Sequence, residues 1–93
     1  MVSVSNVSAE GERRVRGMLL YVVRCLVDHP EDVQIVRVPS PEVTLLRVYV
    51  VPGDIPQLVG RGGQTERALR VLLAATGMKH HQRFAIDIAP APG

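Results

Sequence analysis

Aromatic residues are scarce in this chain. Tyr21, Tyr49 and Phe84 make up 3% of its 93 residues. A hydrophobic core must therefore come from Val, Leu, Ile and Ala, and few rings are present on which a nucleobase could stack. The apolar fraction of 46% is nevertheless too high for a disordered chain. The length and composition together predict one small folded domain.

Cysteine and net charge are also low. Cys25 is the single cysteine, which excludes an internal disulfide and a multi-cysteine metal site, and fits a reducing compartment. The chain has eleven basic residues, ten of them Arg, and nine acidic residues, which gives a net charge of +2. A nucleic-acid surface, if there is one, must therefore be local.

The N-terminal segment does not resemble a targeting signal, because no basic stretch is followed by an apolar run. The longest apolar run, Met18 to Val23, is far shorter than the roughly 20 residues that span a bilayer. We therefore expect a soluble, cytoplasmic protein with no membrane contact.

Two stretches have the apolar period of a helix. The first should begin near Glu12 and end before Pro30, which disfavours helical geometry at His29. The second should end at Gly77, a residue type that is common just after a helix. The two stripes are Val15, Met18, Leu19, Val22, Val23, Leu26 and Val27, and then Thr65, Ala68, Leu69, Leu72, Leu73 and Thr76.

Three segments have strand character. Residues 33–38 and 44–51 flank a Pro-Ser-Pro turn and predict an antiparallel hairpin. In residues 83–88, near the C-terminus, large apolar residues alternate with smaller or polar ones. Asp54 is placed to cap a short helix over residues 55–59. The two helices between the second and third strands predict a crossover connection, which joins parallel strands.

The resulting fold class is α+β, in the order α-β-β-α-α-β, with a three-stranded mixed sheet and three helices on one face. We expect the domain to span residues 12–89. Residues 1–11 and 90–93 should be flexible tails.

The most distinctive stretch is Gly60-Arg61-Gly62-Gly63. Glycines permit positive φ and close backbone approach, and a helix N-terminus follows at Gln64, so the turn suits a phosphate group. The residues alone also allow a tight helix–helix connection with no ligand. A dinucleotide-binding motif is excluded by the missing third glycine and by the helix-like segment, in place of a strand, that precedes the turn.

Three stretches together resemble a known family. They are residues 26–33 (Leu-Val-Asp-His-Pro-Glu-Asp-Val), residues 51–54 (Val-Pro-x-Asp) and residues 59–70 around the glycine turn. In order and spacing they are similar to the short bacterial RNA-binding proteins of the KhpA family, which carry a single type II KH (K homology) domain. The resemblance covers roughly residues 15–88.

The resemblance implies non-catalytic binding of single-stranded RNA, and with it a role as an RNA chaperone or post-transcriptional regulator. In KH domains the Gly-x-x-Gly loop clamps about four nucleotides. It also implies pairing, either as a homodimer or with a larger Jag-like KH-domain protein, and a groove whose far rim is the 39–43 loop. The implied RNA-binding residues are Gly60, Arg61, Gly62, Gly63, Gln64 and Thr65.

One alternative function is a protein–protein interaction (dimerisation) module with little intrinsic RNA affinity. An enzyme is disfavoured, because the acidic residues Asp28, Glu31 and Asp32 have no evident nucleophile beside them. His80 and His81 lack a third ligand in sequence that would make a metal site. We therefore expect no catalytic residues, no metal and no cofactor.

Overall fold

The computed structural model describes residues 4–92, and it confirms the predicted fold class and element order. Three short 3₁₀ turns lie between the main elements, at Pro30–Asp32, Pro52–Asp54 and Arg61–Gly63. The helices and strands are α1 (Val4–Leu26), β1 (Gln34–Pro39), β2 (Thr44–Val50), α2 (Ile55–Val59), α3 (Gln64–Lys79) and β3 (Phe84–Pro90).

The sheet has the order β1-β2-β3, with β2 in the middle. β1 pairs antiparallel to β2, with Ile35 opposite Val48, and β2 pairs parallel to β3, with Leu46 opposite Ile86. The parallel pair confirms the crossover predicted from the two intervening helices. It also places the start of β3, after the end of α3, beside the start of β2.

The core lies between the sheet and the helices and is aliphatic. Every second residue of β2 is buried, and α1 and α3 cover these side chains with one stripe each. On α3 the stripe is narrower than predicted, because Leu72 remains 40% exposed. The buried apolar residues are Val15, Leu19, Val23, Val27, Val33, Leu46, Val48, Val50, Leu58, Leu69, Leu73 and Ile86.

The ends of the chain carry more regular structure than the pattern indicated. α1 begins at Val4 and not near Glu12, so much of the segment expected as an N-terminal tail continues the helix. β3 extends to Pro90, and the Ala91 N–H donates to the Val50 carbonyl at 2.7 Å. Residues 1–3 and 93 lie outside the described residues. The domain limits 12–89 and the flexibility of the tails stay predictions.

The sequence pattern indicated that α3 ends at Gly77. In the structure Gly77 lies inside the helix and is buried. A Cβ there would lie 2.5 Å from the Gln82 carbonyl oxygen. The left-handed residue that ends the helix is His81, at φ 56°. The Gln82 N–H donates to the Gly77 carbonyl at 2.9 Å, and the His81 N–H donates to the Met78 carbonyl at 3.2 Å. This pair of bonds is a Schellman motif, and it turns the chain back towards β3.

Candidate functional site

The glycine turn lies between α2 and α3, and all three of its glycines have positive φ. The values are 75° at Gly60, 62° at Gly62 and 79° at Gly63. Gly60 combines its φ with ψ 171°, a region that only glycine adopts readily. The prediction that these glycines serve backbone conformation is therefore confirmed, and the loop depends on them for its shape.

Short contacts hold the turn in one conformation. The Gly60 N–H donates to the Pro56 carbonyl at 2.9 Å, and the Gly63 N–H donates to the Gly60 carbonyl at 3.1 Å. A Cβ on Gly60 would clash with the side-chain oxygen of Thr65 and lie 2.8 Å from its Cβ. Thr65 thus packs directly on the backbone of Gly60.

The cations of the site have distinct surroundings. Arg61 is exposed at the tip of the turn, and among the described residues its side chain has no hydrogen-bond or ion-pair partner. Arg67 donates from Nη1 to the Gly62 carbonyl at 3.0 Å. Arg70 pairs with Glu66 at 2.8 Å. The three arginines and one glutamate leave a local excess of two positive charges.

Arg67 is the residue that the sequence reasoning missed. It lies one turn into α3, and helical side chains point back towards the helix N-terminus. An arginine four residues after the last glycine was therefore the available signal. Its bond to Gly62 braces the turn from the helix side.

The six predicted site residues lie together because they are contiguous. Arg61, Gly62 and Gln64 are exposed, and Thr65 is half-buried. The 39–43 loop lies elsewhere: Thr44, just after it, donates its N–H to the Arg83 carbonyl at 2.9 Å. That contact places the loop near the C-terminal end of α3, away from the glycine turn, and its role as the far rim of a groove stays a prediction.

The start of α2 is held by Asp54, which is 1% exposed. Its carboxylate does not cap α2, contrary to the prediction. It accepts instead from the backbone N–H of His29 at 2.9 Å and of Asp28 at 3.3 Å, and His29 Nδ1 lies 3.2 Å away. Asp54 thereby fastens the segment that leads into the turn to the end of α1.

On the sheet face opposite the helices, Arg47 Nε lies 2.9 Å from Asp87 Oδ2 and forms an ion pair with it. Hydrogen bonds to Asp87 and then Tyr49 raise the pKa of the Arg47 guanidinium above its usual value. Arg47 carries its charge at any physiological pH in either case, so this shift does not make its charge sensitive to pH.

The chemistry of the glycine turn is that of an anion site. The N-terminus of a long helix with no side-chain cap, an unpaired guanidinium and glycines that leave room for close approach are the elements that bind phosphate. Within residues 4–92, no group of His, Cys, Asp and Glu side chains is placed to hold a metal ion. No helix in the same range has the length and apolarity needed to cross a membrane.

The amino-acid sequence of this chain is similar to those of known proteins. The model of the KhpA/KhpB KH domain matches residues 16–88. The RNA-binding protein KhpA of Leifsonia xyli is 40% identical over 70 residues, which cover 75% of this chain and 90% of that protein. The RNA-binding protein KhpA of Bacillus subtilis is 26% identical over 77 residues, 83% of this chain and 95% of that protein.

A third relative, the RNA-binding protein KhpA of Mycobacterium leprae, is 44% identical over 57 residues, which cover 61% of this chain and 71% of that protein. No solved structure gives a significant match. The family match spans the C-terminal half of α1, strands β1 and β2, the glycine turn, all of α3 and most of β3. The chain therefore belongs to the KhpA/KhpB family of KH-domain proteins.

Proposed function

We propose that this protein binds single-stranded RNA through the turn at Gly60–Gly63, with Gln64 and Thr65 at its edge. The observation that carries the proposal is the left-handed glycine turn, which presents an exposed, unpaired Arg61 in front of the uncapped start of α3. Relatives that are named RNA-binding proteins support the ligand class.

Phosphate binding at this turn needs no conformational change of the backbone. The turn is anchored on one side by Leu58, which is fully buried, and on the other by Leu69, which is 2% exposed. Arg67 and Thr65 brace it between these anchors. Because the backbone is already ordered, binding RNA costs little conformational entropy there.

We propose no catalytic step. The protein would act in the cytoplasm as an RNA chaperone or post-transcriptional regulator, by holding RNA segments and releasing them. Affinity per domain should be low, since the site has one unpaired cation and the chain offers few rings for stacking.

Titration of the ¹⁵N-labelled protein with a short oligouridine tests the site. We expect the amide signals of residues 60–65 to shift most, because phosphate would bind next to these N–H groups. Shifts confined to the helix-free sheet face, around Arg47, would place RNA elsewhere and reject the proposal.

A second candidate function, pairing with another protein, is favoured by the outer side of α3. Val71 is 67% exposed and Met78 is 76% exposed, and Ala74 and Ala75 between them are exposed as well. Small and apolar side chains on one helix face allow another helix to approach closely. We propose that this face mediates a homodimer or a complex with a larger, Jag-like KH-domain protein, and that pairing raises RNA affinity by joining two weak sites.

A further inference from the structure

A polar cleft of about 680 Å³ opens between α1, strands β1 and β2, and the segment after α3. It is distinct from the glycine turn and shares no residue with it. Three guanidinium groups from two separate elements border it. The residues that matter for its chemistry are Glu12, Arg13 and Arg16 of α1, Arg37 of β1, Thr44 of β2, and Gln82. We name it the arginine cleft.

Glu12 organises two of these arginines. Its side chain is 15% exposed, and its carboxylate accepts from Arg37 Nε at 2.7 Å and lies 4.0 Å from Arg16 Nη1. The arginine side chains themselves are 42% and 44% exposed at Arg16 and Arg37. The shielded carboxylate thus fixes the Arg37 guanidinium by a hydrogen bond and attracts the Arg16 guanidinium at longer range, and both guanidinium groups remain partly accessible to solvent.

The cleft and its rim keep a positive charge after all ion pairs are counted. Arg13 lies 3.0 Å from Glu10, and Arg14 lies 3.6 Å from the same carboxylate. Arg13 and Arg14 are both mostly exposed, at 71% and 69% of their side chains. With Arg16 and Arg37 included, the cleft and its rim contain four arginines and two glutamates, which leaves an excess of two positive charges.

The position of the cleft relates it to the glycine turn. Gln82 follows the C-terminal end of α3, and the turn precedes its N-terminal end. The 16 residues of α3 separate the two by about 24 Å at a rise of about 1.5 Å per residue. An RNA of about four nucleotides, the length that the clamp holds, does not occupy both the glycine turn and the arginine cleft. A longer strand has additional phosphates that can contact the cleft.

We propose that the arginine cleft is a second phosphate-contact site for single-stranded RNA that extends beyond the glycine turn. The RNA class of this ligand rests on the proposed function. Planar guanidinium groups, of which Arg37 is already held by Glu12, match the oxygens of a phosphodiester, and the polar border of Thr44 and Gln82 suits a solvated backbone better than an apolar peptide. The site would contribute affinity without reading sequence.

The test compares two lengths of labelled oligouridine, about four nucleotides, which fill only the clamp, and about 16, which is the length of a long single-strand site. The test variant is Arg13→Gln/Arg16→Gln, which keeps the Arg37–Glu12 pair. Arg16→Gln and Arg24→Gln form a matched single-charge pair, since both lie on α1 but Arg24 is outside the cleft. Fluorescence anisotropy at several salt concentrations gives the affinities, and circular dichroism confirms folding.

We expect the double variant to lose affinity several-fold for the long RNA only. The slope of log affinity against log salt concentration should decrease by roughly 1.4, because each lost contact with a single strand removes about 0.7. Arg16→Gln should show about half of that change in slope, and Arg24→Gln should bind like the parent. An unchanged long-RNA affinity, or an equal loss for both lengths, would overturn the proposal. So would an equal effect of Arg24→Gln.

Two further outcomes separate the possible errors. If the double variant loses affinity for polyglutamate but not for long RNA, the cleft binds an acidic peptide and the RNA proposal is wrong. If the turn variant Arg61→Asp/Gly62→Asp still binds the four-nucleotide RNA like the parent, the proposed function at the glycine turn is refuted, while a loss of long-RNA affinity in the Arg13→Gln/Arg16→Gln variant would still support the second site.

Discussion

The buried carboxylate of Asp54 accepts a hydrogen bond from the backbone N–H of His29, 2.9 Å away and 25 residues earlier in the chain. This bond joins the end of α1 to the start of α2, five residues before the first glycine of the turn. It makes the position of the candidate RNA site depend on α1, the helix that comes before the β-α-α-β unit.

Replacing Asp54 by Ala should destabilise the fold by about 2–4 kcal/mol, because partly buried N–H groups of Asp28 and His29 lose their acceptor. Asp54→Asn keeps one acceptor oxygen and should cost about half as much. Chemical denaturation of the three proteins measures the difference. A free energy of unfolding within about 0.5 kcal/mol of the parent, which is the usual range of surface substitutions, would mean that the Asp54 bond is not stabilising.

The glycines of the turn should differ in their tolerance of a side chain. Gly60→Ala should destabilise by about 1–3 kcal/mol, since its backbone conformation is almost restricted to glycine and the new Cβ would clash with Thr65. Gly62→Ala meets open space and should cost only the left-handed penalty of about 1 kcal/mol. Gly53→Ala, with no neighbour within 4 Å, is the control. Thermal melts that rank Gly62→Ala as the more harmful change would contradict this account.

The double substitution Arg61→Asp/Gly62→Asp should abolish most binding of a short single-stranded RNA. Two anions would lie where the phosphate binds, and the loss of one cationic contact should reduce the slope of log affinity against log salt concentration by about 0.7. Since the turn is exposed, the stability should change by no more than about 1 kcal/mol. Fluorescence anisotropy and circular dichroism provide the two readouts. A folded double variant with parental RNA affinity would exclude the turn as the RNA site and favour the interaction-module function.

Substituting the outer face of α3 should alter the oligomeric state. We expect the parent to be dimeric at tens of micromolar, the range in which a dimer of micromolar Kd is populated, or else to bind a larger KH-domain partner. Val71→Glu/Met78→Glu should then be monomeric, because two charges would be desolvated in the interface. Tyr21→Glu, at a site 72% exposed on α1, is the control. Light scattering that shows a monomeric parent, together with no partner in a pull-down, would refute pairing.

Local sequence signals determined the elements and the candidate site. The apolar stripes specified two long helices, because a residue's place on a helix face follows from its spacing alone. Three glycines in four residues indicated a turn with positive φ, because only glycine adopts it without cost. The predicted RNA-binding residues Gly60 to Thr65 are contiguous, so their proximity needed no tertiary information.

The tertiary structure decided the contacts between residues that are distant in sequence. Asp54 appeared from its position to be a helix cap, yet packing brings the end of α1 within its reach, and two N–H groups there compete successfully for the carboxylate. Gly77 appeared to end α3, but the return of the chain at Gln82 requires a residue without Cβ inside the helix. The arginine cleft forms because the fold places β1 against α1. Such contacts depend on which surfaces meet, and neither spacing nor propensity along the chain encodes that.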